Sequence, residues 1–299
     1  EVRPANGAVR HPTPRRTRHL HDTAGSVMQT RQNQQMSKKQ RVLESLFHQC
    51  VQKNSFEFSN SDVKRIAAAL DFGNPFDATK ADSREILPQS IRQRGYCIAH
   101  IGKGRHCFIP ELQNWYHDFE AILPQEVIQW RYRKSLLNDL DRGEASALSF
   151  VFNQHILHDF IYEDVVASPK IYVPGRSRAT IEYTVGNTRI KAEDQQLEMD
   201  LVLEYQGTVT VVEAKNRDFN RFTNFAVYQL FHPVKYYLNR AKDAKVYIPH
   251  INACYVLRQA SSAAYGETKV RLYLYEFADP DRLDSIRLVR KAEYHLKQR

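Results

Sequence analysis

The chain is poor in cysteine, with four thiols in 299 residues (Cys50, Cys97, Cys107 and Cys254) and no CxxC pair among them. It also lacks a secretory n-region followed by an apolar h-region, so a reducing, cytoplasmic location is the default expectation. Cys97, His100, His106 and Cys107 can be drawn as a zinc set, but Cys-x2-His followed closely by His-Cys is a poor match to ligand spacings. No apolar run approaches the roughly 18 residues needed to cross a bilayer, and the expectation is a soluble protein with no membrane partner. No repeat or low-complexity run follows residue 36, and no small-molecule cofactor motif is evident. With 42% hydrophobic and 26% charged residues, neither wholesale disorder nor a fibrous repeat fits.

The formal net charge is +9, which favours a polyanionic partner such as nucleic acid or an anionic surface. The surplus is uneven. Residues 1–36 hold 6 basic and 2 acidic groups, residues 37–116 hold 12 and 8, and residues 117–299 hold 25 and 24. Nucleic-acid contacts are therefore expected in the first third.

Residues 1–36 read as a basic, disordered tail with a cluster at Arg15, Arg16 and Arg18. Met36 has the place of a natural start. Residues 37–115 then change character: Val42, Leu43, Leu46, Phe47 and Val51 recur at helical spacing, and Ser61 is the expected N-cap of a second helix. Residues 87–94 predict a third helix carrying Gln89, Ser90, Arg92, Gln93 and Arg94. Residues 96–101 and 105–109 predict two strands around the turn Gly102-Lys103-Gly104. Three helices and a terminal hairpin make a winged helix-turn-helix unit. Its third helix suits a major groove, and Arg92, Arg94, Lys103 and Arg105 suit helix end and wing. DNA binding and a dimerisation role both fit that unit.

Residues 116–299 form the second expected domain, entered through a bulky apolar connector over 116–140 that reads as helical. A helix follows from about Arg142, with Glu144 in its first turn. Strands are predicted over 180–185, 189–193, 197–205 and 208–215, the last two joined as a hairpin across Gln206-Gly207. A helix over 222–237 and strands over 245–257 and 270–277 complete the order. Strand alternation puts Glu198 and Asp200 on one face of their strand, and Val211, Glu213 and Lys215 on one face of the next. Asp200 and Glu213 can then converge with Lys215 beside them, a costly arrangement on an apolar strand unless the charges pair or bind a cation.

Asp200, twelve intervening residues and Glu213-Ala214-Lys215 at the end of an apolar strand resemble the PD-(D/E)XK nuclease signature, with Gln229 on the following helix. Residues 213–216, 225–233 and the pair Tyr236-Tyr237 are similar to type II restriction endonucleases that place a winged helix before the nuclease core. Met199 stands where the motif's name has Pro. The resemblance implies an α/β (α+β) chain in which a winged helix precedes a restriction-endonuclease-like core, a central mixed β-sheet flanked by helices.

It further implies a sequence-specific, Mg2+-dependent type II restriction endonuclease of the prokaryotic cytoplasm. Such an enzyme hydrolyses double-stranded DNA to 5′-phosphate ends, and it works as a homodimer because two strands need two centres. Asp200 and Glu213 would hold the metal with the Ala214 backbone carbonyl, Glu144 would reach it through water or hold a second ion, and Lys215 would orient and help deprotonate the attacking water or stabilise charge on the phosphate. Gln229 and Glu198 would support the site, with Glu198 able to hold Arg176 or Arg178. Those two arginines are the further candidate phosphate contacts. The alternatives are a non-catalytic winged-helix DNA-binding regulator and a repair or structure-specific nuclease.

Overall fold

Apolar residues at helical spacing build the first element. The computed structural model, which describes residues 36–136, 144–259 and 267–297, begins with helix α1 (Lys38–Lys53), where Val42, Leu43, Leu46, Phe47 and Cys50 are buried. The expected tail over residues 1–36 falls outside the described residues except for Met36. Strand β1 (Glu57–Ser59) leads directly into α2 (Asn60–Ala69). The N-cap is Ser59 and not Ser61, because Asp62 completes a reciprocal pair: its N–H donates to Ser59 Oγ at 3.3 Å, and its carboxylate accepts from Ser59 N at 3.0 Å.

Short helices α3 (Pro75–Ala78) and α4 (Gln89–Gln93) follow. The latter is briefer than the expected 87–94, since it opens after Pro88 and stops before Gly95 at φ +77°. Strands β2 (Cys97–Gly102) and β3 (Arg105–Ile109) form an antiparallel hairpin, and β1 pairs with β3. Within the hairpin, pairing sets His100 against His106 and Ala99 against Cys107, so alternation puts the two histidines on one face and Cys97 and Cys107 on the other.

The connector over 116–140 departs from its helical expectation. After the single turn α5 (Leu112–Trp115) come β4 (Tyr116–Asp118), a 3-10 turn at Pro124–Glu126 and β5 (Val127–Trp130). Pro124 removes a helical donor, and Val127 and Ile128 find strand partners in the last strand of the chain. Residues 137–143 lie outside the described residues. The next helix is in fact two, α6 (Glu144–Asn153) and α7 (Ile156–Tyr162), because His155 adopts φ +57° between them.

The remaining strands are β6 (Lys170–Tyr172), β7 (Gly175–Val185), β8 (Thr188–Met199), β9 (Leu201–Tyr205), β10 (Thr208–Asn216) and β11 (Asn224–Ala226). Helix α8 (Tyr228–Ala244), β12 (His250–Gln259), β13 (Glu267–Phe277) and β14 (Ile286–Lys297) close the chain. Residues 222–226, expected as helix, lie ahead of α8, and Phe225 and Ala226 pair with β4 as part of β11. The main sheet has the order β5-β14-β13-β12-β10-β9-β6 and mixes parallel with antiparallel pairs; a second runs β1-β3-β2-β8-β7. Neither closes into a barrel, and the fold is mixed α/β. Val212 and Ala214 pack under α6 and α7, while Val211 packs with α8 on the opposite face, so helices cover both sides of β10.

The β7–β8 hairpin ties the N-terminal segment to the rest. Gly102 pairs in parallel with Glu193 of β8, and a Cβ at Gly102 would lie 1.7 Å from the Glu193 carbonyl oxygen at φ +80°. At the far turn the Glu111 carboxylate accepts from Asn187 N at 3.0 Å and from the Thr188 hydroxyl at 2.9 Å. One hydrophobic core joins α1, α2 and β2 to β7 and to Val227 and Phe231, and Lys38–Arg299 is one compact unit. The expected boundary at residue 115 falls between α5 and β4.

Gly102→Ala should cost about 2–4 kcal/mol, because both the left-handed backbone and the close approach are violated. Gly95→Ala, with open space around its Cβ position, should cost only about 1 kcal/mol. Urea unfolding of the two variants measures the difference; equal costs would refute the docking of the hairpin as its cause.

Candidate active site

Asp200 sits at a break. The predicted strand over 197–205 is two strands, β8 in one sheet and β9 in the other, and Asp200 is the single residue between them. Beyond the last β9–β10 pair, Leu201 with Val212, the continuing register sets Asp200 beside Glu213. The Ala214 N–H donates to Asp200 Oδ2 at 3.3 Å. A strand residue's N–H and C=O leave the same side, so the Ala214 carbonyl also faces the Asp200 side, past the end of the ladder.

Glu213 is 8% exposed, and its Oε1 lies 3.0 Å from Lys215 Nζ. Burial pushes its carboxyl up to about 8; the Lys215 ammonium opposes this, while the Asp200 and Asp82 charges add to it. Gln229, at the start of α8, donates from Nε2 to Glu213 Oε1 at 3.3 Å, and the Tyr255 hydroxyl donates to Gln229 Oε1 at 3.4 Å. The expected supporting role of Gln229 therefore has a geometric counterpart: it orients the carboxylate.

These groups line a cleft of about 850 Å³ together with Lys103, Arg105 and Arg178. Lys103 bonds Glu193 at 2.8 Å, Arg178 bonds Asp194 at 2.7 Å, and Arg105 lies 3.8 Å from Glu57. All three side chains are exposed. Arg176 pairs with Glu198 across β7 and β8 at 3.4 Å, and Glu198 also meets Lys80 at 3.4 Å. Glu198 thus faces the cleft as an ion-pair partner.

The α4 set is not brought there. Gln89 and Gln93 are exposed, Ser90 bonds Glu44, and Arg94 lies over the Phe47 ring at 5.6 Å; none of the five, Arg92 included, lines the cleft. Glu144 opens α6, but its side chain lies outside the described residues.

Sequence reasoning missed the cleft's other wall. His100 and His106 meet through their Nδ1 atoms at 2.9 Å, and burial lowers them to about 4 and about 3. His232 is likewise lowered by burial to about 3. Asp82 and Tyr228 line the same space. His100 and His106 stood out in the sequence only as part of a mismatched zinc set, His232 and Tyr228 only as members of the 225–233 segment, and Asp82, in a loop, carried no pattern at all.

A divalent cation suits the donors present. Two carboxylates and a carbonyl are hard oxygen ligands, and the burial that raises the Glu213 carboxyl is a desolvation cost that a bound cation would offset. Among the described residues no group of three or more His, Cys, Asp or Glu side chains is placed to hold a metal ion.

Residues 112–295 match the family described as Domain of unknown function (DUF6997), and residues 40–108 match Domain of unknown function (DUF6996). No curated protein and no solved structure matches the chain.

The raised Glu213 carboxyl makes stability depend on pH with a definite sign. Its contribution is full below about 4.5 and is lost as pH rises toward 8, because the unfolded chain ionises first. In EDTA, the stability of the parent minus that of Glu213→Gln should fall across pH 5–8, by at most about 1.4 kcal/mol per pH unit. A flat difference in denaturant titrations at three pH values would show that Glu213 is not desolvated.

Proposed function

We propose that this chain, which belongs to the DUF6997 family, is a Mg2+-dependent endonuclease of the PD-(D/E)XK type that hydrolyses double-stranded DNA to 5′-phosphate ends. The observation that carries the reading is the meeting of Asp200, Glu213 and Lys215 at the end of β10, on the face that Gln229 reaches from α8. Glu213 and Lys215 on an apolar strand, with Asp200 from the neighbouring bend, carry a desolvation cost that their own pairing offsets in part and a bound cation would offset further.

Asp200, Glu213 and the Ala214 carbonyl would hold the cation. Bound Mg2+ supplies neutralisation of the charge that builds on the scissile phosphate. Lys215, with Nζ 3.0 Å from Glu213, orients the attacking water; as a neutral amine it takes the water's proton, and as an ammonium it instead stabilises the charge on the phosphate. Gln229 keeps Glu213 aimed at the cleft. Lys103, Arg105 and Arg178 exchange their carboxylate partners for DNA phosphates, for which the guanidinium fork is well shaped.

The N-terminal order of α1, β1, α2, α4 and the β2–β3 hairpin supports a winged helix-turn-helix reading, and the mixed sheet between α6–α7 and α8 supports a restriction-endonuclease-like core. Because two strands of a symmetric site require two centres, the working form is a homodimer acting as a sequence-specific type II restriction enzyme in the cytoplasm. No helix among the described residues is long and apolar enough to cross a membrane.

Digestion of plasmid and phage DNA in Mg2+ or EDTA tests the proposal. Discrete, metal-dependent fragments are expected, with Asp200→Ala and Lys215→Ala slowed at least about 1,000-fold while still shifting DNA on a gel. An intact but shifted band with the unsubstituted protein would point to a regulator, and cutting confined to branched substrates to a repair nuclease.

A further inference from the structure

The cleft has an acidic group that comes from the other family segment. Asp82 lies in the loop between α3 and α4, and it lines the same space as Asp200, Glu213 and Lys215. Its backbone is fixed on the α8 side: the Asp82 carbonyl accepts from Ala226 N at 2.9 Å, and the Ala81 carbonyl accepts from the Tyr116 hydroxyl at 3.1 Å. Two residues on, Arg84 N donates to Asn224 Oδ1 at 2.7 Å. The loop is therefore bolted to the strand that leads into α8, the helix that carries Gln229.

The Asp82 carboxylate makes no hydrogen bond or ion pair among the described residues, although Lys80 two residues away is paired with Glu198. A partly buried carboxylate without a cation beside two others is unfavourable unless something positive arrives. Independently, His232 lines this space at 4% exposure, one turn beyond Gln229, and its Nε2 has no hydrogen-bond partner among the described residues. His232 thus brings to this space a buried polar atom that no described residue satisfies.

We propose that Asp82 is a positioning residue for the divalent cation, holding it through the waters the ion retains, so that the centre is shared between the two family segments. The proposal rests on the nuclease reading above. It follows the geometry in giving Asp82 an indirect place, since the described carboxylates do not close into a three-ligand cage. Hydrogen-bonded partners of this kind typically change metal affinity 10–100-fold when removed.

The test titrates the full chain with Mn2+ alone, without DNA, by calorimetry, and then measures the Mg2+ dependence of cutting. Asp82→Asn should weaken Mn2+ binding about tenfold and raise the Mg2+ concentration for half-maximal cutting by a similar factor, with rate recovering at high Mg2+. Asp82→Glu, which keeps the charge, should remain within about threefold of the parent. Unchanged Mn2+ affinity in Asp82→Asn overturns the proposal, and so does an equal loss in both variants accompanied by a lower Tm. Failure of the parent itself to bind Mn2+ sinks the nuclease reading and this inference together, whereas failure confined to the Asp82 variants leaves that reading standing.

Discussion

Everything in the cleft depends on one run of chain that serves two sheets. Residues 188–199 are hydrogen-bonded to β7, residues 201–205 to β6 and β10, and Asp200 is the residue that has to turn between them. Leaving the ladder frees its neighbourhood from strand partners. The Asp200 carboxylate takes up the Ala214 N–H in their place, and this locks the bend against the neighbouring strand. Because the β7–β8 hairpin that precedes the bend is also pinned at Gly102 and Glu111, the N-terminal segment determines where Asp200 ends up.

Electrostatics then follow from packing. β10 is covered on both faces by helices, so any charge on it is desolvated unless it lies at the strand's end. Glu213 and Lys215 are near that end and pair with one another, yet burial outweighs the Lys215 ammonium and pushes the Glu213 carboxyl upward, with the Asp200 and Asp82 charges adding to it. The opposite wall carries neutral imidazoles and exposed cations.

Local chemistry was legible wherever periodicity or turn residues act alone. The apolar spacing of α1, the Gly102-Lys103-Gly104 turn and the Gln206-Gly207 hairpin, with both its residues at positive φ, are read directly from residue types. Errors arose where a nearer neighbour or a distant strand won. Asp62 drew the helix cap back to Ser59, and the final strand recruited Val127 and Ile128 out of an expected helix. His155 divided one predicted helix into two, which no apolar spacing could announce.

The sequence by itself determined the alternation that aims Glu213 and Lys215 the same way, the spacing that sets Asp200 opposite them, and the excess of positive charge in the first third. These are properties of strand period and composition, which need no partner. Only the tertiary structure decided that Lys103 and Arg105 face the acidic site while the α4 side chains do not, and that Asp82 stands with Asp200 and Glu213. The physical reason is that those neighbours are separated by 95 residues or more and meet through a backbone approach tolerated only at a glycine and through hydrogen bonds to a loop, contacts that leave no periodic trace in the chain.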